Sequence, residues 1–180
     1  MTSVASPSAL DHRALWDQGL TFAEFLAESA PEHLPLWQGV YRTATVPEWA
    51  RELSVPPGLR LLVLAEDWCG DASNTVPVVA RWAEAVGIEL RVLRRDEFPE
   101  VMDAYLTNGS RSIPIVIGLD ADFRVLGHWG PRPAELQAWV MAHRTTLGKD
   151  DRYREIRRWY ARDRGETTLR EVFETVNGER

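Results

Sequence analysis

The sequence predicts an α/β protein built on a mixed sheet, and three observations carry that prediction. Residues 59–66, "LRLLVLAE", form a near-continuous apolar run, the pattern of a central strand covered on both faces. Residues 88–95, "IELRVLRR", alternate apolar and polar as a second strand does. From 59 to 147 the segments follow the order β-α-β-α-β-β-α, which suits a layered fold with helices flanking the sheet.

Residues 9–54 read as helices broken by Pro31, Pro35 and Pro47. Phe22, Phe25 and Leu26 recur at helical spacing, and Thr21 with Glu24 three residues on has the form of a capping box. "VPPG" at 55–58 is a stiff turn before the first strand. Residues 73–86 read as a helix stopped by Gly87, with Pro77 expected to kink it. A short helix at 98–106 follows the second strand. Strands at 112–120 and 123–129, joined by "DADF", read as a hairpin. The helix expected over 131–146 carries its prolines in the first turn, where a missing N–H does least harm. Helices over 149–163 and 167–176 complete the chain. The expected organisation is one domain: an N-terminal helical extension (1–54), an α/β core (55–147) and C-terminal helices packed on it (148–180).

Composition narrows the function. With 21 Lys and Arg against 27 Asp and Glu, the chain carries a formal charge of −6, which disfavours broad binding to nucleic acid or anionic membrane. No apolar run reaches the ~18 residues of a membrane helix. "MTSVASPSALDHRALW" lacks the charged start and apolar stretch of a secretory signal, so a cytoplasmic location is expected. A single cysteine excludes an internal disulfide. Eight tryptophans read mainly as core material.

That cysteine lies in "EDWCGDASNTVP" (66–77), between the first strand and the helix after it. Trp68-Cys69-Gly70, Pro77 eight positions later and Ile113-Pro114 opening a later strand together resemble thioredoxin. In particular the chain resembles a bacterial thioredoxin-like family with Trp-Cys-Gly-Asp-Ala in place of Trp-Cys-Gly-Pro-Cys. The likeness extends to "TNGSRSIP" (107–114), "WGPRP" (129–133) and "WYARDRG" (159–165), covering roughly residues 60 to 170. It implies a thioredoxin-like fold with a cis bond before Pro114. It further implies that the Ile113 backbone pairs with an extended substrate, between walls formed by Trp68 and Gly130-Pro131. The departures matter as much. Ala72 stands where a resolving cysteine would be, Asp71 replaces the intervening proline, and Val63 takes the place of a buried aspartate.

One sulfur can still act. A thiol at a helix N-terminus is stabilised as thiolate by unpaired N–H groups and the helix dipole. It can attack a disulfide, leaving an adduct that an external low-molecular-weight thiol must resolve. The first functional expectation is therefore monothiol exchange on a protein disulfide or peptide, with Cys69 as nucleophile and Trp68, Gly70, Asp71, Ile113, Pro114, Gly130 and Pro131 as substrate contacts. The alternative is a non-catalytic protein that uses the same groove for a peptide or protein partner, with Cys69 an inert small hydrophobe. Asp71 should oppose thiolate formation, unless Arg94, Arg95 or Arg111 reaches the site. Its simpler role is to stabilise the helix N-terminus.

No cofactor or metal set is expected. His12, His33, His128 and His143 lack ligand spacing, and Glu66, Asp67 and Asp71 read as solvated caps. His128 is placed by alternation on the face of Leu126, opposite Trp129. "RYREIRRWYARDR" (152–164) interleaves arginine with aromatics, yet Tyr153, Ile156 and Tyr160 share a helical face and read as a packed stripe.

Overall fold

A computed structural model describes residues 6–177, so the first five residues of the N-terminal reading and the last three of the C-terminal one lie outside it. A 3-10 turn (Pro7–Ala9) leads into α1 (His12–Gln18), β1 (Leu20–Thr21), α2 (Phe22–Ala27), α3 (Leu34–Thr43) and α4 (Glu48–Arg51). Then come β2 (Arg60–Ala65), α5 (Gly70–Val86), β3 (Glu89–Arg94), α6 (Pro99–Asp103), β4 (Ile115–Leu119), β5 (Val125–Trp129) and α7 (Ala134–His143). The chain closes with α8 (Lys149–Asp163) and α9 (Glu166–Val176). The sheet runs β1-β3-β2-β4-β5, with β2 and β3 parallel and the other pairs antiparallel.

The apolar run of β2 has the expected cause. Leu61, Val63 and Ala65 face a core shared with α2, α3, α5 and α9, while Leu62 and Leu64 face one shared with α1 and α6. Val63 pairs in register with Val92 and Val116 and is fully buried, an apolar floor with no proton-accepting group.

Residues 9–54, expected to be helical, also contribute an edge strand: Leu20 and Thr21 pair with Val92 and Arg91. Two residues are too short for either periodicity to register. Thr21 then caps α2, its hydroxyl accepting the Glu24 N–H at 3.2 Å while the Glu24 carboxylate accepts the Thr21 N–H at 2.8 Å. Two further differences are local. The helix α5 starts at Gly70 and continues through Pro77. Pro133 caps α7 and Pro131 precedes it, so neither lies inside the first turn.

Two glycines set how closely α9 approaches. Gly118 and Gly127 are paired in register, and a Cβ on either would come within 2.5 Å of Val176 or of the Thr175 carbonyl. A register shift beside this pair overturns the alternation assumed for β5. Leu126 packs into the core that holds Trp129, while His128 pairs with Ile117 and meets the Tyr105 ring at 5.0 Å on the other face. The stripe on α8 is also shorter than expected: Ile156 and Tyr160 are buried, but Tyr153 is exposed under the Lys149 ammonium.

Candidate functional site

The strand β2 ends at Ala65, and a tight turn from Glu66 carries the chain to Cys69, the N-cap residue of α5. The thiol accepts the Ala72 N–H at 3.5 Å and donates to the Ile113 carbonyl, also at 3.5 Å. Ile113 is joined to Pro114 by a cis bond, and a second cis bond joins Gly130 to Pro131. Gly130 lies against the Pro114 carbonyl with no room for a side chain. Cys69, Ile113, Pro114, Gly130 and Pro131 therefore come together at one end of the sheet.

Trp68 stands beside them with 49% of its surface exposed. Arg95 covers its ring at 4.8 Å, donates to the Arg111 carbonyl at 3.0 Å and pairs with Asp96 at 2.8 Å. Gly70 is exposed, with nothing within 4 Å of the position a Cβ would take. The indole is thus supported on one side while its other face stays open.

Asp71 departs most from its expected role as a simple helix-end carboxylate. It is only 7% exposed. Arg132 grips it with two bonds, Nη2 to Oδ2 at 2.6 Å and Nε to Oδ1 at 2.9 Å, and the Tyr160 hydroxyl donates to Oδ1 at 2.8 Å. Arg132 also donates to the Gln137 side chain at 2.8 Å. A buried carboxylate needs this much compensation to remain charged. Burial raises the Tyr160 phenol far above its ordinary value and Asp71 adds to the effect, so Tyr160 acts only as a donor here.

None of the three arginines considered from sequence is the one that reaches Asp71. Arg94 lies between Glu66 and Asp67 at 3.6 and 3.9 Å, and Arg111 holds Asp103 in a bidentate pair at 2.7 and 2.8 Å. Nor are Glu66 and Asp67 solvated caps. Glu66 is buried and accepts the Asp96 N–H at 2.9 Å, and burial lifts its carboxyl above the usual range. Asp67 accepts the Ala30 N–H at 2.8 Å, and its carbonyl takes the indole N–H of fully buried Trp37 at 2.8 Å. Among the described residues, no group of three acidic, histidine or cysteine side chains is placed to hold a metal ion.

The electrostatic result bears on Cys69. Burial pushes its thiol up to about 11, and the Asp71 carboxylate pushes the same way. The Ala72 N–H, second in size to burial, and the Arg132 charge pull the thiol down, by less than burial and Asp71 together raise it. At neutral pH the sulfur is a protonated thiol. Arg132 and Tyr160 carried no site role in the sequence reading, although "WGPRP" and "WYARDRG" were part of the resemblance. Their only signal was that two stretches far from Cys69 accompany an aspartate at position 71.

Tyr160→Phe should lower stability by about 2 kcal/mol in urea unfolding, since it removes one bond to a buried charge. A loss below about 0.5 kcal/mol would show that Arg132 alone satisfies Asp71.

A sheet of this order, with a thiol at a helix N-cap facing a cis-proline, defines the class: a thioredoxin-fold protein with a single thiol in place of the dithiol pair. Residues 19–162 match the thioredoxin family model, and the chain belongs to that family. A crystal structure of a protein of unknown function from Pseudomonas aeruginosa is 19% identical, with a TM-score of 0.75 over 95% of this chain and 99% of that one. The crystal structure of an HIV epitope-scaffold is 20% identical, with a TM-score of 0.73 over 95% of this chain and all of the other. At these identities the likeness is one of fold. No curated protein matches the chain. Among the described residues no helix is long and apolar enough to cross a membrane.

Proposed function

We propose that this thioredoxin-family protein binds an extended polypeptide segment along its Ile113-Pro114 edge, with Cys69 serving as a protonated thiol in the wall of the groove. The observation that carries this reading is the Cys69 thiol itself, pushed up to about 11 first by burial and further by the Asp71 carboxylate that Arg132 and Tyr160 hold beside it. A dithiol enzyme needs the opposite, a sulfur that ionises readily. What supports binding is an exposed, supported Trp68 next to a backbone segment suited to strand addition.

Monothiol exchange, resolved by an external low-molecular-weight thiol, is the second reading. One observation favours it: the sulfur sits at the helix N-cap and contacts both the Ala72 N–H and the Ile113 carbonyl, where an incoming disulfide would dock. With the thiol pushed up to about 11, the thiolate is a minor form at pH 7.

The deciding experiment follows reduction of hydroxyethyl disulfide by glutathione at pH 7, comparing wild type with Cys69→Ala. Equal rates are expected. A Cys69-dependent rate would replace the binding reading with the exchange reading. Peptides selected from a random displayed library on the wild type should bind Cys69→Ala within about twofold. Failure to select any would count against a peptide groove.

A further inference from the structure

Away from Cys69, α3, α5 and α8 enclose a cavity of about 430 Å³ that the thiol chemistry leaves unused. Its size falls in the range of small-molecule sites, about 300–1,000 Å³. Val40 and Val78 supply apolar wall, and the Tyr160 ring, whose hydroxyl is turned to Asp71, supplies more. Asn74 brings a side-chain amide that uses one N–H on the Gly70 carbonyl at 2.7 Å.

The mouth is charged in one sense only. Arg157 on α8 and Arg164, the left-handed residue that ends it, both line the cavity, and no acidic residue does. Among the described residues neither guanidinium has a hydrogen bond, ion pair or ring contact, whereas Arg154, Arg158 and Arg170 nearby in sequence are all paired with carboxylates. In a chain of net charge −6, this cavity is lined by two cations and no carboxylate. The end of the cavity is also firmly built. Gly165 lies so close to Val78 that a side chain there would overlap it, which fixes the α8–α9 corner against α5.

We infer that this cavity binds a small organic anion, with an apolar or aromatic body against Val40, Val78 and Tyr160 and a carboxylate or sulfonate held by Arg157 and Arg164. Guanidinium groups suit such planar or forked oxygens, and the apolar wall accounts for the rest of the ligand.

The test uses 8-anilinonaphthalene-1-sulfonate, followed by fluorescence with the full-length protein. Wild type should show one saturable site. The double variant Arg157→Gln/Arg164→Gln should raise the dissociation constant at least about tenfold, because a charged contact of this kind is worth about that factor. Ala161→Trp, which fills the cavity from its exposed side, should abolish the saturable signal. All of these positions are exposed, so thermal melts should stay within a few degrees of wild type. No saturable site in the wild type up to 1 mM dye, where ~ 1 mM is the weak limit of specific binding, would overturn the inference. So would equal affinity in the double variant or in Ala161→Trp.

Discussion

Asp71→Asn is expected to bring the Cys69 thiol down from about 11, with iodoacetamide labelling at pH 8 accelerating accordingly. The substitution removes the carboxylate that opposes ionisation and leaves the Arg132 guanidinium, which favours it, unopposed. Burial is the largest cause of the shift and remains, so the midpoint should stay above that of the unfolded chain. The same change strands a buried guanidinium, and a loss of about 3–5 kcal/mol in urea unfolding is expected with it. Labelling must therefore be read only where far-UV circular dichroism shows folded protein. An unchanged midpoint in a folded Asp71→Asn would remove Asp71 from the control of the thiol.

A companion measurement needs no destabilised variant. The thiol is raised in the folded state, so the unfolded chain gives up its proton first as pH increases. The resulting stability is whole below the unfolded value near 9 and is lost as pH rises through about 11. Across that window wild type should lose roughly 2 kcal/mol more stability than Cys69→Ala, in which no thiol titrates. Parallel curves for the two proteins would mean that burial does not hold the proton on Cys69.

Gly130→Ala is expected to cost at least about 3 kcal/mol. The residue has φ of 128°, a conformation that side-chain-bearing residues rarely adopt, and its Cβ would overlap the Pro114 carbonyl oxygen. That oxygen belongs to backbone leading into β4, so it cannot rotate away as a side chain would. Gly70→Ala is the control: its Cβ meets nothing within 4 Å, and at the first turn of α5 alanine should be neutral or slightly stabilising. A Gly130→Ala protein as stable as wild type would mean that the Pro114 segment yields, and the groove with it.

Much of this architecture was legible in residues 59–129, where each signal was local. A six-residue apolar strand, a helix stop at Gly87 and a capping box at Thr21 each depend on neighbours in sequence. What stayed hidden depended on distance or on breaks in periodicity. The strand β1 has two residues and no detectable period. His128 opposes Trp129 as alternation assigns it, but Leu126 packs on the Trp129 side instead of sharing the His128 face, because the sheet shifts register between Gly118 and Leu119. At the site, the position of Cys69 was readable while its chemistry was not. Asp71 alone is a helix-end carboxylate, and only the tertiary fold makes it one end of a buried ion pair. Two of the arginines considered from sequence, Arg94 and Arg95, were already committed to Glu66, Asp67 and Trp68.

The Asp71 cluster also sets an order of events during synthesis. Its carboxylate emerges 61 residues before Arg132 and 89 before Tyr160. At about 5–20 residues per second, Asp71 waits roughly 4–18 s for its last partner. Until α8 arrives, the start of α5 cannot close without burying an incompletely paired charge. Until both partners are made, the cost of burying that charge disfavours closing this end of the sheet. The shelter of the thiol in this part of the fold thus depends on residues made late, in α8.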